Sequence, residues 1–297
     1  MRRPTIGAGA RVALIAPGGP LKGEDDLQRA EDNARALGWE PRRGSHVLAC
    51  DGYLAGNDGD RLADLNAALT DDDVDAVWCL RGGYGAMRIL NSVDYAALRR
   101  RPKPLIGYSD VTALHAAIAT RCEVVSYHGP TARAELTPFA KASLERALHG
   151  EESCGTAITA SMLHPGRARG RLVGGNLALL SALAGTPYEP NYHDAILIVE
   201  DVNEAAYRID RMLTQLRLAG RLARCRGIVF GQFTDMPTAA SDGSTRPLDD
   251  VLREVVSALE VPSIAGAPIG HVADQWTVPL GAIAELDAES RTLRILD

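Results

Sequence analysis

Leu105-Ile-Gly-Tyr-Ser-Asp-Val-Thr-Ala-Leu-His-Ala-Ala-Ile118 decides how the chain is read. A short apolar run ends at Gly107. A helical pattern begins just after Asp110, with apolar residues at Val111, Leu114 and Ile118, spaced i, i+3, i+7. Ser109 stands at the junction. A serine on a sharp strand-to-helix turn holds its hydroxyl out over the end of a sheet, and the next backbone N–H points at whatever is attacked. The five residues read Gly-x-Ser-x-Val rather than Gly-x-Ser-x-Gly, so a plain helix cap is the commoner use of such a serine.

Outward from this stretch, strands and helices alternate. Arg11–Pro17 reads as a buried strand closed by a Pro-Gly-Gly-Pro loop. A helix follows with Leu27, Ala30, Ala34 and Leu37 on one face and Gly38 as its stop. A second helix carries Leu62, Leu65 and Leu69, and strands are expected at 74–80, 105–107 and 123–127. Such alternation gives βαβ units and a mostly parallel sheet. The first half is therefore expected to be an open, doubly wound α/β domain, with ligands bound beyond the carboxyl ends of its strands.

From Glu151 to Gly170 the composition turns to Ser, Gly, Thr, Pro and Arg with little periodicity. The expected division is a first domain at 1–150, a linker at 151–170 and a second domain at 171–297. The second half holds an apolar helix to Leu183, a strand at 195–199, a helix from about Glu204 to Ala219 and a strand at 227–230. A helix near 249–259 and Gly- and Pro-rich strands complete it. This predicts a mixed α+β, barrel-like domain.

The 297 residues can bury a sizeable core. The 46% apolar and 24% charged composition is that of an ordinary globular protein. A net charge of -6 argues against nucleic acid or an anionic membrane surface as partner. No apolar run approaches the ~20 residues that span a bilayer, and the start lacks the apolar core of a signal peptide. Five cysteines, at 50, 79, 122, 154 and 225, are scattered without any Cys-x-x-Cys. Reduced thiols in the cytoplasm fit that pattern, and structural zinc does not. No metal or cofactor motif is present.

A serine nucleophile needs a base, a group to orient it, and donors for the oxyanion. Arg81-Gly-Gly-Tyr-Gly85 follows a strand directly and should face the same sheet edge as Ser109. Its glycines let backbone N–H groups approach a ligand, so the N–H groups of Gly83 and Asp110 are the candidate donors. A tight turn explains the same glycines equally simply. Glu200 and Asp201 end the apolar strand 195–199, where an acid serves either a site or the following helix N-terminus. His271 lies in a glycine-flanked turn, His128 at a strand end, and His115 inside the helix after Ser109. Ser109, Glu200 and His271 then follow the order nucleophile, acid, base. They would meet in a cleft between the two domains.

Six stretches now gain a common meaning: Arg-Gly-Gly-Tyr-Gly, Gly-Tyr-Ser-Asp-Val-Thr-Ala-Leu-His, Leu-Val-Gly-Gly-Asn-Leu, Val-Glu-Asp-Val-Asn-Glu, Tyr-Arg-Ile-Asp-Arg-Met-Leu and Pro-Ile-Gly-His. In this order, from Val12 to about Gly281, the chain resembles the L,D-carboxypeptidases, the muramoyltetrapeptide carboxypeptidases. The resemblance implies a cytoplasmic, homodimeric serine peptidase without cofactor or metal. It implies removal of the terminal D-Ala from the tetrapeptide of recycled peptidoglycan. It assigns Ser109 as nucleophile, Glu200 as acid, His271 as base, and Gly83 and Asp110 as oxyanion donors. Arg81, Tyr84 and Arg208 are candidates for substrate contact, the arginines because a carboxypeptidase must bind a free carboxylate. Two other readings stand beside this one: a relative of the microcin C immunity peptidases acting on acyl-adenylate-like amides, and a non-catalytic binding protein on the same scaffold.

Overall fold

The computed structural model describes residues 1–237 and 246–296. In the first lobe, β1 (Arg11–Ile15), β2 (Glu40–Arg43), β3 (Ala76–Cys79), β4 (Leu105–Gly107) and β5 (Ser126–His128) pair in the order β2-β1-β3-β4-β5, all parallel. Alternate residues of these strands feed two cores. Ala13, Ile15, Val77, Cys79 and Leu105 pack on one side, and Val12, Leu14, Ala76, Trp78 and Ile106 on the other. A sheet apolar on both faces must be covered on both, which is why β1, β3 and β4 read as continuous apolar runs, while the edge strand β2, Glu-Pro-Arg-Arg, stays polar.

Helices α1 (Glu24–Ala36), α2 (Asp58–Thr70), α3 (Ala86–Ile89), α4 (Tyr95–Arg100), α5 (Thr112–Cys122) and α6 (Pro138–Leu148) belong to this lobe. Leu65, Leu98, Leu114 and Ile118 of α2, α4 and α5 cover one face, and Leu27, Ala30, Leu144 and Leu148 of α1 and α6 the other. The doubly wound arrangement expected from the alternation is present. Strand order reverses between β1 and β3, so the loops after these two strands splay apart and leave a crevice.

One strand begins later than its sequence suggests. Residues 123–127 were expected as a strand, but α5 runs on to Cys122 and ends on Glu123 in the left-handed conformation (φ 53°). Val124 and Val125 pair instead with Arg2, and β5 starts at Ser126.

Residues 151–170 hold β6 (Gly155–Thr156), β7 (Ser161–His164) and the start of β8 (Arg167–Asn176). The remaining strands are β9 (Ala195–Val202), β10 (Gly227–Thr234), β11 (Ser263–Ala265), β12 (Val278–Leu280), β13 (Ile283–Asp287) and β14 (Thr292–Ile295). All but β12 form a second sheet in the order β6-β14-β13-β8-β9-β10-β11-β7. Its first and last strands are joined through residues 157–160 alone. Four linking residues reach less than about 20 Å, whereas eight flat strands would span about 34 Å. The sheet therefore curls, as the barrel-like expectation required.

Ile196, Ile198, Val229, Ile264, Trp276, Leu286 and Leu293 fill the inside of the curl. Leu197, Val199 and Phe230 point outward and are covered by α7 (Leu177–Leu183), α8 (Ala206–Leu218) and α9 (Leu248–Ser257). β12 leaves this lobe and adds an antiparallel edge to β5, pairing Val278 with His128. That return was not foreseen, and it carries the segment bearing His271 to the edge of the first sheet.

Candidate active site

Ser109 follows β4 in the left-handed region, φ 65°, between the extended Tyr108 and the helical Asp110–Val111 turn. An L residue pays about 1–2 kcal/mol for that conformation, so a plain cap would not need it. Strain of this kind collects at functional positions because the surrounding structure must hold it. Gly82 lies so close that a Cβ there would stand 2.8 Å from Ser109 Cβ and 2.9 Å from its Oγ. The Gly82–Gly83 segment, with Gly83 at φ 86° and exposed, thus flanks the hydroxyl as the shared sheet edge predicts.

The loops after β1 and β3 are tied together where strand order reverses. Gly19 N–H donates to Gly82 O at 2.8 Å. Neither Gly83 nor Asp110 uses its backbone N–H on a protein acceptor among the described residues. Asp110 itself is buried, and its Oδ2 accepts from Ala86 N–H at 2.8 Å.

The candidate acid and base come from the second lobe. Glu200, fully buried near the end of β9, accepts a hydrogen bond from His271 Nδ1 at 2.8 Å. Gly270 (φ 104°) permits the approach, since a Cβ there would sit 2.6 Å from Glu200 Oε2. Asp201, the neighbour left open by sequence, points the other way. It accepts from Asn176 Nδ2 at 2.8 Å and from Ala178 N–H at 2.9 Å. Burial raises its carboxyl to about 6. Successive residues of a strand face opposite sides, so only one of the pair can meet His271.

Two contacts bring the lobes into register at this point. Thr112 Oγ1, in the first turn of α5, accepts from Asn176 N–H at 3.0 Å, and Gly175 allows the close approach. Tyr108 packs edge-on against the His271 ring with centroids 4.8 Å apart. The residue before the serine therefore touches the imidazole. No hydrogen bond joins Ser109 Oγ to His271 in this structure; such bonds often close only around bound substrate.

His128 and His115 lie behind Tyr108. His128 is fully buried, and both its ring nitrogens lack a partner. Burial lowers it to about 3. His115 bonds Ser126 Oγ and Gly107 O, each at 2.8 Å, and burial lowers it to about 4. Both are neutral at physiological pH, and His271 alone of the three reaches an acid.

Of the substrate-contact candidates, Arg81 adjoins Gly82 and donates to Pro20 O at 2.5 Å. Tyr84 is half exposed and packs edge-on against Tyr53, which is more exposed still. Arg208 is exposed on the first turn of α8, within 3.5 Å of Glu204. Tyr53 and Tyr108 are the residues that motif reading missed. Nothing in the spacing of Tyr53 places it beside Tyr84, whereas Tyr108 adjoins the candidate nucleophile in sequence. A separate cavity of about 440 Å³ lies along α5 and β8, lined by Ala116, Ala119, Thr120, Arg171, Val173 and Pro190. Ser109, Glu200 and His271 do not line it. Among the described residues no group of three or more His, Cys, Asp or Glu side chains is arranged to hold a metal ion.

Residues 12–129 match the LD-carboxypeptidase N-terminal domain, and residues 169–286 match the LD-carboxypeptidase C-terminal domain. This chain belongs to the LD-carboxypeptidase family. Within it, the chain is 36% identical to the probable murein peptide carboxypeptidase of Bacillus subtilis, over 97% of this chain and 92% of that one. The crystal structure of muramoyltetrapeptide carboxypeptidase from Oxalobacter formigenes superposes with a TM-score of 0.85 at 32% identity, covering 97% of this chain and 99% of the other. The microcin C7 self-immunity protein superposes with a TM-score of 0.90 at 21% identity, covering 100% and 98%. That last likeness is one of fold.

Proposed function

We propose that this chain is a serine carboxypeptidase that hydrolyses the amide between meso-diaminopimelate and the terminal D-Ala of muramoyl tetrapeptides, in the recycling of peptidoglycan. The observation that carries the reading is the Glu200–His271 hydrogen bond set against the Tyr108–Ser109 turn, in a chain of the LD-carboxypeptidase family. Ser109 is the nucleophile, His271 the base and Glu200 the acid. The first lobe, within residues 1–150, supplies the nucleophile, and the lobe within 171–297 supplies acid and base.

His271 takes the proton of Ser109 as Oγ attacks the carbonyl carbon, forming the C–O bond while the carbonyl electrons move to oxygen. Glu200 holds the imidazole with its Nδ1 proton inward and stabilises the imidazolium. The N–H groups of Gly83 and Asp110 receive the oxyanion. Collapse of the tetrahedral species breaks the C–N bond, and the imidazolium gives its proton to the departing D-Ala amine. Water, deprotonated by the same imidazole, then releases the acyl group from Ser109. Arg81 and Tyr84, flanking Gly82–Gly83, contact the substrate. Arg208 offers a guanidinium for its free carboxylate.

The fold likeness to the microcin C7 self-immunity protein leaves an acyl-adenylate-type amide as the rival substrate. Residues 184–194, between α7 and β9, contain no tryptophan to cover a nucleobase. We place the enzyme in the cytoplasm as a homodimer. No helix among the described residues is long and apolar enough to cross a membrane. Mass spectrometry after incubation with muramoyl tetrapeptide, and separately with an aminoacyl sulfamoyl nucleoside, tests the reading. Release of D-Ala by wild type and not by Ser109→Ala is expected. Cleavage of the nucleoside substrate alone overturns it.

A further inference from the structure

An oxyanion hole accelerates a reaction only if its donors are fixed before charge develops. The segment bearing Gly83 is poorly suited to that by itself. Arg81-Gly-Gly-Tyr-Gly85 has three glycines in five residues, and glycine backbone is the least ordered in the absence of restraint. Its restraints are all visible. Gly19 N–H holds Gly82 O at 2.8 Å. At the far end of the loop, Asp110 Oδ2 accepts from Ala86 N–H at 2.8 Å, and the Gly85 N–H favours the charged form of the same carboxyl.

Behind the loop lies Arg61, an arginine whose side chain is fully buried. It donates to Pro17 O and to Asp58, and its charge acts on Asp110. The packing leaves no slack. A Cβ on Gly18 would stand 2.6 Å from Asp110 Oδ2, and one on Gly85 would stand 2.7 Å from Arg61 Nη1. Two loops, helix α2 and the serine turn therefore converge on one carboxylate.

Resting on the triad reading above, we propose that the Asp110 side chain is a positioning residue for the oxyanion hole. One residue then does two things. Its backbone N–H is one donor, and its carboxylate pins the loop that carries the other, at Ala86, three residues from Gly83. The spacing between the donors is set within a single residue's geometry, with Arg61 as the counter-charge. Burying a carboxylate costs several kcal/mol unless it is hydrogen-bonded and paired. The Ala86 and Gly85 N–H groups and the Arg61 charge offset part of that cost, and burial still holds the carboxyl above its usual range. A helix cap alone would not require such burial.

The test uses the full chain with a fluorophosphonate probe, whose phosphorus Ser109 attacks with loss of fluoride. The labelling rate reports oxyanion stabilisation without any peptide substrate. Wild type, Asp110→Asn and Asp110→Ala all retain the backbone N–H. Labelling should slow by about 10-fold in Asp110→Asn, which keeps a weaker neutral acceptor, and by about 10²-fold in Asp110→Ala. For peptide hydrolysis the loss should fall on kcat, with KM within about 3-fold of wild type. A carboxylate serving only the fold would change the melting temperature and not this split. Should Asp110→Ala fail to fold, Asp110→Asn decides alone. A reactive wild type with equally reactive folded variants overturns this inference and leaves the triad standing. An unreactive wild type overturns the triad reading, and this inference with it.

Discussion

Glu200 Oε2 and His271 Nδ1 stand 2.8 Å apart across 71 residues of chain. The carboxylate has no exposure to solvent, while the imidazole keeps one edge open. A buried acid bonded to a half-buried imidazole fixes which nitrogen carries the proton and leaves Nε2 free to act as a base. Replacing Glu200 by Gln puts an amide against Nδ1 and favours the opposite tautomer. We expect kcat for D-Ala release to fall by about 10³–10⁴-fold in Glu200→Gln, with KM little changed. Steady-state kinetics on the tetrapeptide check this, and a loss under tenfold would remove Glu200 from the triad.

The strain at Ser109 separates stability from activity. Ser109→Ala should lose turnover by roughly 10³-fold or more and remain folded. Ser109→Gly should be equally inactive yet more stable than the alanine variant by about 1 kcal/mol, because glycine adopts φ 65° without penalty. Thermal melts of the two variants side by side measure the difference. An alanine variant melting above the glycine one would contradict the strained turn.

Gly270 is where backbone and catalysis meet. Its φ of 104° disfavours any side chain, and an added methyl would press on the Glu200 carboxylate at 2.6 Å. Gly270→Ala should lower kcat by about tenfold or more, because the acid must shift away from His271, and should also cost stability of about 1–3 kcal/mol. Urea unfolding and kinetics on one sample give both numbers. Unchanged kcat would mean that the acid's position is not critical.

Two buried histidines make the fold acid-sensitive. His128 is lowered to about 3 and His115 to about 4, both by burial. The native state holds them neutral, while the unfolded chain protonates them near 6.5. The unfolded state therefore binds more protons below that pH, and stability falls as pH drops from about 6.5 toward 4, by about 1.4 kcal/mol per pH unit for each group. Asp201, raised to about 6, acts in the opposite sense between about 4 and 6. His46, raised by its hydrogen bond to Asp64, and Asp110, raised by burial, act in the same sense as Asp201, so the histidine contribution is read as the difference in slope between wild type and a histidine variant. Since neither His128 nitrogen has a partner, His128→Leu should flatten the slope. Melting temperatures from pH 7.5 to 5 decide it, and an unaltered slope in the variant would refute the burial argument.

Local signals were the most legible. The strand–loop–helix unit around Ser109 and the Gly-Gly loop after Leu80 depend on neighbours in sequence, and both fold as read. The start of β5 was misplaced because Val124 and Val125 carry a strand's composition but pair with distant Arg2. The choice between Glu200 and Asp201 stayed open for a related reason. Strand periodicity puts them on opposite faces without saying which face holds the histidine.

By itself the sequence determined the alternation of strands and helices, the turn that exposes Ser109, and the glycines that let backbone approach it. These follow from φ preferences and from apolar spacing over a dozen residues, which act within one stretch of chain. Tertiary structure alone decided that β12 crosses to the first sheet. It also decided that Tyr108 packs against His271 and that the Asp110 carboxylate reaches Ala86. Those contacts join residues far apart in the chain. They are fixed by which buried polar groups can be satisfied once both lobes are packed, and that condition is written in no single segment.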